Sequence, residues 1–251
     1  MRALALDFDG VICDSAREAF VVALRTYRAL LSPGFARGEA DDALFAEFVA
    51  LMPLGNGATD YAIALSAIER GCAVPDQAAY DAFRAELDAT ALRAYHRQFY
   101  RVRADWMKRD LAGWHVHMRP YPGMCELLRR RASDARLAIA TAKDRHSVRA
   151  LLTHYGVADL FPEGVVLDKQ TGDSKREHVR RIADLAGAPL SEVTFVDDKV
   201  NHLEDVAALG ARCVLAAWGY NGPRERRIAE ARGFLVCTLD DFEARVFSSA
   251  T

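Results

Sequence analysis

Six short apolar runs, near residues 3–8, 137–142, 163–167, 193–197, 212–217 and 234–237, alternate for the most part with helix-patterned stretches. That alternation restricts the chain to an α/β fold, a doubly wound parallel sheet wrapped by helices. One gap departs from the pattern. From about 17 to 115 no strand signal occurs: Ser15-x-x-Glu18 opens a helix, Tyr61, Leu65 and Ile68 mark a second helical face, and no Gly or Pro interrupts Asp76 to Ala112. Within that run Phe83, Leu87, Ala91, Tyr95 and Phe99 recur every four residues, the spacing of an amphipathic stripe that packs into a core. The expected organisation is a core built from 1–16 and 116–251, with an α-helical insertion over 17–115 that returns through His115 to Pro122. At 251 residues, 51% of them apolar, the chain can bury one substantial core and a smaller second unit.

The first apolar run ends in Leu4 to Ser15, LALDFDGVICDS. Residues two apart on a strand point to the same side, so Asp7 and Asp9 share a face while Phe8 turns into packing. Gly10 supplies the freedom for a sharp turn just where the acids meet a ligand. Two carboxylates placed together require a cation or a shared proton. This is an arrangement in which Asp7 can attack a phosphorus centre while Asp9 protonates the leaving oxygen and later takes a proton from water.

Three later features add to that chemistry. LAIATAKD, Leu137 to Asp144, is an apolar strand ending in Thr141, whose hydroxyl, with the N–H groups of Ala142 and Lys143 after it, can hold a phosphoryl oxygen. Lys143 either helps to bind phosphate or caps the strand end. Ser174-Lys175-Arg176-Glu177 has the Ser-x-x-Glu form of a capping box and places Lys175 in a first helical turn. VTFVDDKVNHLEDVAALG, Val193 to Gly210, is a strand that ends in Asp197-Asp198 and runs on into a helix, which supplies further acids for a hard metal.

In this order the four pieces resemble the haloacid dehalogenase superfamily, in its phosphoglycolate phosphatase-like branch with a helical cap after the first motif. The matching residues are Asp7-Phe8-Asp9-Gly10, Thr141, Lys175 and Asp197-Asp198, and the likeness covers roughly 1–16 and 118–245. The resemblance implies a Rossmann-like core and a Mg2+-dependent phosphatase working through an aspartyl-phosphate. In it Asp7, Asp9, Thr141 and Lys175 are catalytic, while Gly10, Ala142 and Lys143 bind substrate. The metal falls to Asp7, Asp9 and Asp198, with Asp197 a near partner. Two departures stand out. Arg176 follows the Lys where Pro is common, with Lys169 as a rival six residues upstream, and His202, beside Asn201, occupies a position that is often acidic. The cap is expected to close over the site and select the substrate, and burial beneath it would favour the protonated Asp9 that the leaving group needs.

Among branches of the superfamily, a phosphonatase would need a Lys early in the cap, yet positions 1–107 contain none. A haloacid dehalogenase needs no metal and no second acid in the first motif, and both are provided for here. A sugar-phosphate mutase keeps the same core motifs and stays open, as does a non-catalytic phosphometabolite sensor. The expected partner is a small phosphorylated metabolite, and the protein a monomer or homodimer. A net charge of −2 speaks against general nucleic-acid or membrane-surface binding. Five cysteines, at 13, 72, 125, 213 and 237, form no CxxC pair and suit a reducing compartment. No apolar run is long enough to span a bilayer, so the cytoplasm is the expected location.

Overall fold

The computed structural model describes residues 1–172 and 174–247. In chain order its elements are β1 (Ala3–Leu6), β2 (Cys13–Asp14), α1 (Ala16–Leu30), α2 (Asp42–Leu51), α3 (Ala58–Glu69), α4 (Gln77–Ala85), α5 (Ala89–Arg109), α6 (Leu111–Val116), β3 (Arg119–Pro120) and α7 (Met124–Arg131). There follow β4 (Arg136–Ala140), α8 (Arg145–His154), β5 (Val166–Leu167), α9 (Lys175–Ala186), β6 (Val193–Asp197), α10 (Val200–Ala207), β7 (Arg212–Ala216), α11 (Pro223–Ala231), β8 (Leu235–Cys237) and α12 (Leu239–Phe247). The chain divides into two compact units, Met1–Asp14 with Arg119–Thr251, and Ser15–Met118.

The first unit is built on a six-stranded parallel sheet in the order β5-β4-β1-β6-β7-β8. Its middle strands carry apolar side chains on both faces, as a sheet covered by helices on each side requires. Leu4 lies opposite both Leu137 and Thr194, and Ala3 through Leu6 are all fully buried. Chain order reverses around β1, which has β4 on one side and β6 on the other. Ligand crevices of open α/β sheets form at such a reversal, outside the carboxyl ends of the strands. The short antiparallel pair β2-β3, with Cys13 opposite Pro120 and Asp14 opposite Arg119, sets side by side the two points where the chain leaves this unit and returns.

The second unit is helical throughout. Its interior carries a chain of ring contacts, Phe20 to Phe48 at 5.4 Å, Phe48 to Tyr61 at 5.4 Å and Tyr61 to Phe99 at 5.5 Å. A buried ionic knot sits beside them. Arg103 donates to both carboxylate oxygens of Glu18, at 2.6 and 2.7 Å, and the Trp114 indole N–H donates to the same carboxylate at 3.0 Å. Glu18 is therefore occupied inside the unit and does not act as the far end of a capping box. Ser15 makes no side-chain cap bond to α1.

The run from Asp76 to Ala112 is not one helix. Asp88 caps α5 through Thr90 N–H and Asp110 caps α6 through Gly113 N–H, so local carboxylate caps break the run where neither Gly nor Pro does. Leu87 consequently falls between two helices, and of the expected stripe Phe83, Tyr95 and Phe99 are the buried members. The first strand stops at Leu6 and the fifth begins only at Val166, both shorter than their apolar runs. Among the described residues no helix is long and apolar enough to cross a membrane, and all five cysteines are free thiols.

Candidate active site

Three neighbouring strands deliver polar residues to one edge of the sheet. Beyond β1, Asp7 N–H still bonds to the Val196 carbonyl of β6, and beyond β4, Thr141 N–H bonds to Leu167 of β5, both at 2.9 Å. Asp7, Thr141 and Asp197 thus leave the sheet on adjacent strands, fixed by ladder bonds rather than by loops. Each is buried.

Lys175 joins two of them. Ser174 caps α9 by accepting from Glu177 N–H, which puts Lys175 in the first turn. Its ammonium donates to Asp7 Oδ1 at 2.9 Å, Asp197 Oδ2 at 3.1 Å and the Ala140 carbonyl at 2.7 Å. Three donors meet three acceptors, so the group is held in one position. Lys169, by contrast, is exposed.

The acids beside Lys175 differ in what surrounds them. Burial pushes Asp7 up to about 7, against the pull of Lys175 and with the help of neighbouring Asp197 and Asp198. Asp198 is pushed up to about 6, again chiefly by burial, although Lys199 opposes the rise. Asp197 is buried as deeply, yet it lies well below the usual carboxylate range, because Lys175 and His202 outweigh desolvation. His202 Nδ1 stands 3.1 Å from both Asp197 oxygens, and Lys199 N–H donates to Oδ1 at 2.9 Å.

Asp198 sits in a cradle of backbone. Its Oδ2 accepts from Tyr220 N–H at 2.8 Å, and its carbonyl accepts from the Asn221 amide, which also reaches the Ala216 carbonyl. Gly10 has φ +81°, and a Cβ there would stand 2.5 Å from Asp198 Oδ2. A Cβ on Gly219 would overlap both Asp198 Cβ and the Gly10 carbonyl. The two glycines let the loop after β1 and the loop after β7 close on this carboxylate from two sides. In the sequence Gly219 and Tyr220 follow a core strand, where they either shape the rim of a site or pack; their contribution here is steric and main-chain.

Among the described residues Asp9 and Asp7 pair with different lysines. Asp9 is about one-third exposed, and both its oxygens lie 3.2 Å from Lys143 Nζ. Lys143 N–H donates to the Thr141 hydroxyl at 3.1 Å, while Ala142 between them is exposed. Lys143 is therefore tied to the acid rather than capping its strand. One residue with no signature in the sequence braces this loop. Asp168, fully buried after β5, accepts from Arg145 N–H at the start of α8 and from the Thr171 hydroxyl, and its carbonyl meets His178 Nε2 at 3.0 Å.

Cys13 lies close to Asp9 but is fully buried, accepts a bond from the Tyr155 hydroxyl at 3.1 Å, and has its thiol pushed far up by burial. Such a thiol is inert. Asp7, Asp197 and His202 each bring one ligand-type atom within 4.8 Å of one another, although Lys175, Lys199 N–H and His202 already engage the oxygens of Asp197.

Comparison with known proteins bears on the fold and the family. Over 121 residues the chain is 30% identical to tyrosine-protein kinase PtkA of Mycobacterium bovis and of Mycobacterium tuberculosis; the match takes in 47% of this chain and 40% of each relative, so the chain spans well under half the length of those proteins. Among solved structures, a predicted phosphoglycolate phosphatase from Haemophilus somnus is similar with a TM-score of 0.67 at 20% identity, over 98% of both chains. A predicted phosphatase from Clostridium acetobutylicum gives 0.61 at 16% identity, over 98% of this chain and 97% of its own. At such identities the likeness is one of fold. Residues 1–210 match the family model of haloacid dehalogenase-like hydrolases, and it is to that family that the chain belongs.

Proposed function

We propose that this protein is a Mg2+-dependent phosphatase that hydrolyses a small phosphorylated metabolite through an aspartyl-phosphate. The observation that carries the reading is the placement of Asp7 and Thr141 at the carboxyl ends of neighbouring strands with the Lys175 ammonium 2.9 Å from Asp7. In the first step an Asp7 oxygen bonds to phosphorus as the ester bond breaks, and the departing alkoxide takes a proton from Asp9. In the second, Asp9 takes a proton from water, the resulting hydroxide bonds to phosphorus, and the bond to Asp7 breaks to release phosphate. Thr141, the N–H groups after it and Lys175 offer donors to the oxygens on which charge accumulates. Lys143, on both oxygens of Asp9, steers that carboxyl and yields it when the proton arrives.

The donor set fits a hard divalent ion. Burial pushes Asp7 and Asp198 up to about 7 and about 6, with neighbouring Asp197 raising both, so that a divalent cation beside them would favour their ionised forms. We assign the ion to Asp7, Asp198 and the main-chain carbonyl of Asp9. Asp197 we assign to bracing, because Lys175, Lys199 N–H and His202 already occupy its oxygens. When bound, magnesium would offset the repulsion between the ester and Asp7 and orient the two in line. Selection among phosphate esters falls, on this reading, to the helical unit.

Phosphate release from a panel of phosphorylated metabolites, measured with magnesium, with chelator and with Asp7→Asn, tests the proposal. Release confined to the wild type with metal is expected. The mycobacterial relatives carry the name of a tyrosine kinase. Phosphotyrosine formed from ATP in the same panel, without release of phosphate to water, would replace hydrolysis by transfer to a hydroxyl.

A further inference from the structure

The helical unit holds a cavity of about 710 Å³ among α3, α4 and α5 that plays no part in the chemistry above. Three guanidiniums line its rim, Arg84 from α4 and Arg93 and Arg97 from one face of α5, with His96 beside them. Asp81 contributes one carboxylate against these, and it already accepts from Gln77 at 3.0 Å. Leu87 and the buried Leu92 give the cavity an apolar floor.

The protein neutralises this rim only in part. Arg84 reaches Asp60 only at 3.5 Å, and Arg93 spends one N–H on the Thr90 hydroxyl. Among the described residues no carboxylate lies within ion-pair distance of Arg93 or Arg97. Like charges at i and i+4 on one helix face cost a few tenths of a kcal/mol. Elsewhere in this unit Arg103 is doubly bonded to Glu18, Arg25 to Glu39, and Arg37 to Asp41 and Glu47. Arg93 and Arg97, left without carboxylates beside a loosely paired Arg84 around a concavity of ligand size, are what recognition of phosphate groups uses, since each guanidinium offers a planar pair of donors.

We propose that this cavity is a binding site for an organic polyphosphate of nucleotide size, with its phosphates on Arg84, Arg93 and Arg97 and its apolar or planar portion on Leu87 and Leu92. The site does not depend on the phosphatase reading, because none of these residues belongs to the carboxylate centre.

Titration calorimetry with ATP, tripolyphosphate and adenosine, in chelator and low salt, tests it on the whole chain. ATP should saturate one site per chain and bind at least about tenfold more weakly to Arg93→Ala/Arg97→Ala, a change of roughly 1.4 kcal/mol. Both positions are exposed, and Ala is a stronger helix former, so the variant should fold, as circular dichroism will verify. Arg84→Ala should weaken binding independently, whereas Arg101→Ala, on the same helix as Arg93 but not lining the cavity, should leave it unchanged. Asp7→Asn should retain full affinity, which separates this site from the catalytic one. The proposal is overturned by ATP that does not saturate below about 5 mM, by equal affinity in the double variant, by an effect of Arg101→Ala as large as that of Arg97→Ala, or by loss of binding in Asp7→Asn. Tripolyphosphate bound as tightly as ATP would reduce the cavity to an unselective cationic patch and overturn the organic portion.

Discussion

Replacing Lys175 by Met keeps the length of the side chain and removes its charge, which makes it the sharpest probe of the carboxylate centre. The ammonium has three partners, Asp7, Asp197 and the Ala140 carbonyl, at 2.9, 3.1 and 2.7 Å, and all are buried. Removing one partner of a buried ion pair costs about 3–5 kcal/mol, because a charge is left without compensation. The stranded Ala140 carbonyl tends toward the upper end, since an unsatisfied buried acceptor costs about 1–3 kcal/mol. Part of the loss is recoverable: Asp7 already sits near 7 and can take up a proton, whereas Asp197 keeps His202 and Lys199 N–H. The expected net loss is therefore about 4 kcal/mol at neutral pH, a large fraction of a typical domain's stability. Urea unfolding in chelator measures it as a lowered midpoint at unchanged slope. Asp7→Asn/Lys175→Met, which removes one stranded carboxylate, should recover about 1–2 kcal/mol of that loss. Lys169→Met, at an exposed position, should stay within about 0.5 kcal/mol of wild type. An unfolding midpoint for Lys175→Met equal to that of the wild type, or a larger loss in Lys169→Met, would refute the reasoning.

Further outcomes follow from the same geometry. Asp7→Asn should lower phosphate release by about three orders of magnitude or more, because an amide does not form the covalent intermediate, while its circular dichroism matches wild type. Gly219→Ala forces a Cβ onto Asp198 and the Gly10 carbonyl. It should cost about 1–3 kcal/mol in unfolding and raise the magnesium concentration needed for half-maximal activity; unchanged magnesium dependence would show that Asp198 is not a ligand. Glu18→Ala strands Arg103 and the Trp114 indole inside the helical unit and should destabilise it by about 3–5 kcal/mol, read by thermal and urea unfolding.

The sequence by itself determined the architecture and which polar residues stand at the strand ends and helix starts. Apolar runs of strand length alternating with helical patterns leave few ways to bury both, and the runs ending in Asp7, Thr141 and Asp197 became three adjacent strands with those residues at their carboxyl ends. Ser174 as a cap told Lys175 from Lys169, because a helix start is a local feature written in consecutive residues. Other local features were overridden. Glu18 was taken from its own helix start by Arg103 and Trp114, more than eighty residues away, and Asp88 and Asp110 cut the long helical run.

What only the tertiary structure decided are the pairings. Asp7 and Asp9, two residues apart, went to different lysines; Asp197 and Asp198, adjacent in sequence, became an ionised brace and a carboxylate cradled by glycines. His202 turned to Asp197, Gly219 mattered for the side chain it lacks, and Asp168 gained its role from the main chain of α8. Short-range spacing fixes which strand end or helix start a residue occupies. It carries no information about which distant charge arrives beside it, and in a buried site that neighbour sets the protonation, and hence the chemistry, of each acid.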